Sequence, residues 1–270
     1  MSEAIVVSGC QRSGTTLLNL VFDSHPRIRG IEETHFRRHF TLAKLQAALD
    51  DPAAASVLSF KLPMQSHMLD AIVDALPGRT RVVWLVRDPR AVVASMVNLH
   101  LKVSPFVSVS WAASFIHKEI INALQFVPQP WLDPLEAEIH RFRLIENIPS
   151  VLRPAEDIWF TAALCWRLKQ LELDWQRDAG LECPVVKYED LVTRPEPTLR
   201  TLFETLEIDW DDAVLHHHEH ATGGAIGGTR RDRPISATGL ENWKESLPEP
   251  ALPVIAGVCA EAAGAWGYDL

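Results

Sequence analysis

The sequence has little of what marks secreted, membrane or metal-binding proteins. It contains only 4 cysteines in 270 residues, none of them in a CxxC pair, so we expect reduced, structural thiols. Its longest apolar runs, such as residues 82–86, are far too short to span a bilayer. Glu3 stands where a signal peptide would carry positive charge. The sequence therefore predicts a cytoplasmic protein with no membrane anchor.

An excess of basic residues is also missing. The chain has 26 Lys and Arg against 35 Asp and Glu, a formal net charge of −9. Polymeric nucleic acids are bound through clustered cations, so this balance argues against a nucleic-acid partner. A single small anion needs only a few local cations, so the negative net charge does not exclude a binding site for one.

Short apolar, β-branched stretches alternate with stretches of helical periodicity along the chain. The predicted strands are residues 4–8, 56–60, 81–86 and 184–187, and the main predicted helices begin near residues 15, 68, 89, 158 and 196. Strand–helix alternation of this kind predicts a parallel, doubly wound α/β sheet.

Residues 101–157 depart from this alternation. They contain six prolines and no clear strand. We expect a mostly helical insertion here, either a lid over a substrate or a helical excursion that covers the sheet.

A glycine-rich loop joins the first predicted strand to the first predicted helix. Residues 9–16 read GCQRSGTT, with the GxxxxG spacing of a phosphate-binding loop whose backbone N–H groups face an anion. Thr15 stands where nucleoside-triphosphate loops carry a lysine, and a positive charge is found instead at Arg12. The loop predicts an anion site, and the missing lysine disfavours ATP or GTP as the transferring substrate.

This loop resembles the 5′-phosphosulfate loop of sulfotransferases that use 3′-phosphoadenosine-5′-phosphosulfate (PAPS). A second motif of that superfamily is an Arg at a strand end followed eight residues later by a Ser, as Arg87 and Ser95 stand here. The resemblance implies a P-loop-type three-layer sandwich with a central parallel sheet. It also implies a single sulfotransferase domain over residues 1–270, with the insertion or lid at about 101–157.

The resemblance assigns cofactor-binding roles residue by residue. Arg87 and Ser95 would hold the 3′-phosphate, and Tyr188 matches a family position near the adenine. A basic loop matches a family segment that folds over the cofactor phosphates. The loop residues placed on PAPS are Arg12, Ser13, Gly14, Thr15 and Thr16, and the basic-loop candidates are Arg230, Arg231 and Arg233.

Residues 12–35 and 187–219 resemble the tyrosylprotein sulfotransferase branch most closely, through an HP turn, an EET segment and the KYEDL segment. The catalytic base of that branch falls on Glu33, while Glu32 is expected to point elsewhere or to orient a partner. Lys61 matches a family lysine at a strand end. Together with Arg12 it would stabilise the negative charge that develops during transfer.

The resemblance implies a sulfotransferase that converts PAPS to 3′,5′-ADP without a metal. His35 replaces a peptide-binding Arg of the branch, and residues 101–157 have no counterpart there. We therefore expect a small-molecule, sugar or lipid hydroxyl as the acceptor. The alternatives are a tyrosyl-peptide sulfotransferase, a P-loop small-molecule kinase and a non-catalytic nucleotide-binding protein, and a homodimer is kept open.

A histidine cluster at residues 216–220 suggests a zinc site at first sight. Adjacent histidines on a helix point about 100° apart, so only His216 and His220 could share a face. No third ligand with a fitting spacing follows, and we predict no metal there.

Overall fold

The computed structural model of the protein describes residues 3–32, 40–51, 55–76, 80–102, 109–148, 155–220 and 229–270. The predicted base Glu33 therefore lies outside the described residues. The chain folds as two compact units, one of Met1–Val86 with Gly180–Thr238, the other of Arg87–Ala179 with Gly239–Leu270.

The first unit is built on a five-stranded parallel sheet with the strand order β2-β3-β1-β4-β5. Its strands are β1 (Glu3–Gly9), β2 (Ile28–Ile31), β3 (Val57–Lys61), β4 (Thr80–Val86) and β5 (Val185–Lys187). The apolar residues of β1 and β4 are almost completely buried, which explains their uninterrupted hydrophobic runs. The predicted parallel α/β sheet is confirmed.

The helices of the first unit connect these strands. They are α1 (Thr15–Asp23), α2 (Leu42–Leu49), α3 (Leu69–Ala75), α9 (Tyr188–Thr193), α10 (Pro195–Thr205) and α11 (His217–His220), with 3₁₀ turns at Pro63–Met68 and Asp212–His216. Helix α1 packs along β1, β2 and β3 and buries all but its last residue. This packing fixes the start of α1 at the carboxyl edge of the sheet.

The second unit is helical. It consists of α4 (Pro89–Lys102), α5 (Val109–Phe126), α6 (Gln129–Leu132), α7 (Glu136–Glu146), α8 (Ala155–Asp178), α12 (Trp243–Ser246) and α13 (Ala251–Ala265), with a 3₁₀ turn at Asp133–Leu135. Helix α8 is central, since it packs against α4, α5 and α13. The described part of the predicted insertion is helical, as expected.

Local signals in the sequence set several of these boundaries. Asp88 Oδ1 accepts the backbone N–H of Arg90 at 2.8 Å, so Asp88 caps α4 and Pro89 is its first residue, as predicted. Strand β2 was not predicted, because its four residues include the polar Arg29 and a glycine. Among the described strands it pairs with β3 alone and lies at an edge of the sheet. None of the helices in the described ranges is both long and apolar enough to cross a membrane.

Candidate active site

The glycine-rich loop turns sharply between the end of β1 and the start of α1. Gly14 caps the helix with a left-handed φ of 97°, which strains any residue that carries a side chain. A Cβ on Gly14 would lie 2.5 Å from Cδ2 of Tyr188, the first residue of α9. The structure therefore brings the predicted residues Gly14 and Tyr188 into direct contact.

Polar groups of the loop fit an anionic ligand. The Ser13 hydroxyl is fully buried, and among the described residues its oxygen has no hydrogen-bond partner. Buried polar groups are normally paired, so this orphan at a helix N-terminus is one that a bound oxyanion would satisfy. The first turn of α1 contains no acidic residue that would compete with an anion. These features fit the 5′-phosphosulfate implied by the sequence.

Arg12, in the same loop, has an unusual backbone conformation. Its φ is +72°, one of two positive values among the described non-glycine residues, and its side chain is half-buried. A left-handed arginine costs of order 1 kcal/mol or more, and such strain is concentrated at functional sites. The loop before α1 thus holds the cationic Arg12 in a strained backbone conformation.

Lys61 lies at the same edge of the sheet. Its ammonium donates to Thr16 Oγ1 at 3.3 Å and lies 3.1 Å from Glu32 Oε2, and its side chain is only 7% exposed. The carboxyl ends of parallel strands are where open α/β sheets bind ligands. The structure thus brings the predicted Lys61 to the first turn of α1.

Glu32 was expected to point elsewhere or to orient a partner, and the sequence did not identify Lys61 as that partner. The carboxylate accepts a hydrogen bond from Asn19 Nδ2 at 3.2 Å and forms the ion pair with Lys61. Glu32 follows β2 just as Lys61 ends β3, and these strands are neighbours. The signal was present in the sequence, but the position of β2 in the sheet was needed to read it.

Comparison with known proteins agrees with this geometry. A family model described as Sulfotransferase family matches residues 4–59, which include the whole loop. Protein-tyrosine sulfotransferase 1 of Danio rerio is 25% identical over 306 residues, covering 98% of this chain and 72% of the relative. By these matches the chain is similar to PAPS-dependent sulfotransferases, and to the tyrosylprotein sulfotransferase branch in particular. It is accordingly a PAPS-dependent sulfotransferase.

Solved structures share the sulfotransferase fold. The sulfotransferase domain from the curacin biosynthetic pathway superposes with a TM-score of 0.60 at 16% identity, covering 100% of this chain and 99% of that domain. Mouse sulfotransferase SULT7A1, crystallised with PAP, gives a TM-score of 0.54 at 13% identity, covering 97% of this chain and 85% of that one. At such identities the likeness concerns the fold.

The second sulfotransferase motif lies in the helical unit. Arg87 opens that unit, and its carbonyl accepts a hydrogen bond from Trp166 Nε1 at 3.0 Å. Ser95 is half-buried on α4. Trp166 and the helix cap Asp88 thus fix the backbone that carries this motif. Binding of the 3′-phosphate by Arg87 and Ser95 stays a prediction.

The basic loop predicted to cover the sulfotransferase cofactor is described from residue 229 onward, and this part contains an internal ion pair. Arg230 Nη2 lies 2.8 Å from Asp232 Oδ2, and both side chains are exposed. Asp232 therefore offsets the charge of Arg230. Arg233 is exposed and Arg231 half-buried. Contact between PAPS and the candidates Arg230, Arg231 and Arg233 stays a prediction.

Two histidines of the sequence motifs, His25 and His217, are buried. His25 of the HP turn is buried, accepts the Arg27 backbone N–H at Nδ1 and contacts the Asp209 carbonyl through Nε2 at 3.0 Å. In the histidine cluster, burial and then the neighbouring His218 lower the pKa of His217 to about 4. Within the described ranges, no group of three or more His, Cys, Asp or Glu could hold a metal.

Proposed function

We propose that this sulfotransferase transfers the sulfuryl group of PAPS to the phenolic hydroxyl of a tyrosine in a peptide. The observation that supports this acceptor is the match to protein-tyrosine sulfotransferase 1 of Danio rerio, which extends over 98% of the chain. The alternative of a small-molecule, sugar or lipid hydroxyl rests on two local departures, His35 and residues 101–157. We regard it as the weaker proposal, because the match runs through both departures.

Sulfuryl transfer needs a base for the acceptor proton, in-line geometry and positive charge near the leaving phosphate. PAPS supplies the activated sulfuryl group. Arg12 and Lys61 would provide the positive charge, and the buried Ser13 hydroxyl with the amides at the start of α1 would hold the 5′-phosphosulfate. Fixed cations and loop amides can do this work without a metal.

Glu33 is our candidate for the base. The neighbouring carboxylate, Glu32, is already engaged by Lys61 and Asn19. One of its oxygens faces the Asn19 amide and the other faces the Lys61 ammonium, so both are already engaged within the protein. Of the two adjacent glutamates, Glu33 is therefore the one we assign to take the phenolic proton, in agreement with the resemblance.

A radiolabelled transfer assay tests the acceptor. The purified protein is incubated with ³⁵S-labelled PAPS and a peptide that carries one tyrosine among acidic residues, and the matched control peptide has phenylalanine instead. We expect label only in the tyrosine peptide. Label in simple phenols or sugars and none in the peptide would restore the small-molecule acceptor.

Calorimetry tests the nucleotide independently of the acceptor. We expect binding of 3′,5′-ADP and little binding of ATP, because Thr15 stands where ATP-binding loops carry a lysine. Tight binding of ATP with none of 3′,5′-ADP would overturn the proposal in favour of the kinase alternative.

Two further expectations from the sequence remain proposals. A cytoplasmic location is checked by fractionation of the source cells. A homodimer is checked by light scattering of the purified protein across a concentration series.

A further inference from the structure

We propose that Glu32 is a positioning residue that holds Lys61 in place for sulfuryl transfer. The inference rests on the proposed role of Lys61. The relevant juxtaposition is between neighbouring strand ends, since Glu32 follows β2 and Lys61 ends β3. Glu32 Oε2 lies 3.1 Å from Lys61 Nζ, with side chains only 14% and 7% exposed.

The carboxylate of Glu32 is itself fixed from behind. Asn19 Nδ2 donates to Glu32 Oε1 at 3.2 Å, and Ser59 Oγ donates to Asn19 Oδ1 at 2.9 Å. Ser59 is completely buried and Asn19 only 2% exposed. Because the Asn19 oxygen is taken up by Ser59, its amide group faces the carboxylate, which leaves the other Glu32 oxygen directed at Lys61.

Gly30 makes room for this arrangement. A Cβ at Gly30 would lie 2.8 Å from Asp23 Cβ and 3.2 Å from Asn19 Nδ2. The Gly30 N–H also donates to Asp23 Oδ1 at 2.7 Å, which ties β2 to the end of α1. Glycine weakens a strand, so its presence in the four-residue β2 fits a need for close approach to Asn19.

The flexibility of the lysine side chain explains why this series of contacts is useful. Lysine is a point charge on a flexible four-carbon stem, and its rotamer entropy opposes any single position. A buried ammonium without a carboxylate is costly, and an ion pair with good geometry offsets part of that cost. Glu32 and Thr16 together define one position for the Lys61 ammonium beside the loop. Electrostatic preorganisation of this kind is the largest single contribution to the rate enhancement in many enzymes.

A double-mutant cycle tests the proposal. The variants are Glu32→Gln, Lys61→Met and the double variant, measured for kcat, KM for PAPS and affinity for 3′,5′-ADP by calorimetry. We expect Glu32→Gln to lower kcat about 100-fold, in the range for loss of one preorganised group, with both affinities changed less than about threefold. The double variant should be about as slow as Lys61→Met alone, because both changes remove one interaction.

Two further variants sharpen the cycle. Glu196→Gln removes an exposed glutamate that pairs with Arg200 on α10, and we expect wild-type kinetics from this control. Glu32→Asp keeps the charge on a shorter side chain and should restore part of the lost turnover. Amine labelling of Lys61, quantified by mass spectrometry, is independent of turnover and should rise severalfold in Glu32→Gln.

Several outcomes overturn the proposal. Losses that add up fully in the double variant would mean that Glu32 acts independently of Lys61. Unchanged turnover in Glu32→Gln, or a joint collapse of thermal stability and 3′,5′-ADP affinity, would also overturn it, the latter by showing a purely structural role. Failure of the proposed function looks different, because wild-type protein would then not sulfate the tyrosine peptide, while the Lys61 labelling test still applies.

Discussion

The ring of Tyr188 occupies the space that a side chain on Gly14 would need. A Cβ there would lie 2.5 Å from Cδ2 and 3.0 Å from Cε2 of the tyrosine. Gly14 caps α1 and Tyr188 begins α9, so one contact joins the phosphate-type loop to the segment that follows β5. The loop therefore requires glycine at this position for two reasons, its left-handed φ and the aromatic ring.

Gly14→Ala should weaken nucleotide binding as well as stability. The alanine must either adopt a φ of +97° or displace Tyr188, and we expect a loss of roughly 1–3 kcal/mol in the free energy of unfolding. The affinity for 3′,5′-ADP should fall at least tenfold in calorimetry. The matched control is Gly257→Ala in α13, where a Cβ meets nothing within 4 Å and helix propensity favours alanine. Equal effects of both variants would contradict the argument.

Glu33→Gln should abolish proton transfer while keeping the nucleotide. If Glu33 takes the phenolic proton, kcat falls by roughly 10²–10⁴-fold, the range for loss of a general base. Its amide is nearly the same size, so 3′,5′-ADP affinity should stay within about threefold. The measurement is ³⁵S transfer to the tyrosine peptide alongside calorimetry, with Glu196→Gln as a control. Unchanged transfer would remove Glu33 from the mechanism.

The sequence predicted those parts of the fold that have strong local patterns. The buried run of β4 and the long periodic helix α8 can be recognised without knowing their neighbours, since burial on both faces and helical spacing leave a direct trace. Strand β2 leaves no such trace, because it is an edge strand of four residues. Its existence follows from pairing with β3, which is a tertiary property.

The candidate site divides in the same way. The loop from Gly9 to Thr16 was recognisable because strand, glycine spacing and helix are contiguous in the chain. The ion pair between Glu32 and Lys61 was not, since it depends on which strands are adjacent in the sheet. Strand order is set by packing, and sequence order alone did not identify Lys61 as the partner of Glu32.

Arg87→Met should weaken 3′,5′-ADP selectively. If the guanidinium holds the 3′-phosphate, one charge-assisted contact is lost, which corresponds to roughly 10–100-fold in affinity. Binding of adenosine 5′-phosphate, which lacks the 3′-phosphate, should change little. The control is Arg90→Met, because Arg90 is engaged by Asp88 and lies over the ring of Trp243. An equal loss for both nucleotides in Arg87→Met would contradict the assignment to the 3′-phosphate.

His217→Leu should make the fold less sensitive to acid. Burial, followed by the charge of His218, lowers the pKa of His217 to about 4 from an ordinary value of 6.5. Between these values the unfolded chain binds a proton that the folded chain does not, so the free energy of unfolding falls as the pH drops from about 6.5 to about 4. Leucine removes the titrating group and with it this part of the loss. Melting temperatures at pH 7.5, 6.0 and 4.5 check it, with the exposed His216→Leu as control, and parallel pH profiles for wild type and His217→Leu would show that the acid sensitivity arises elsewhere.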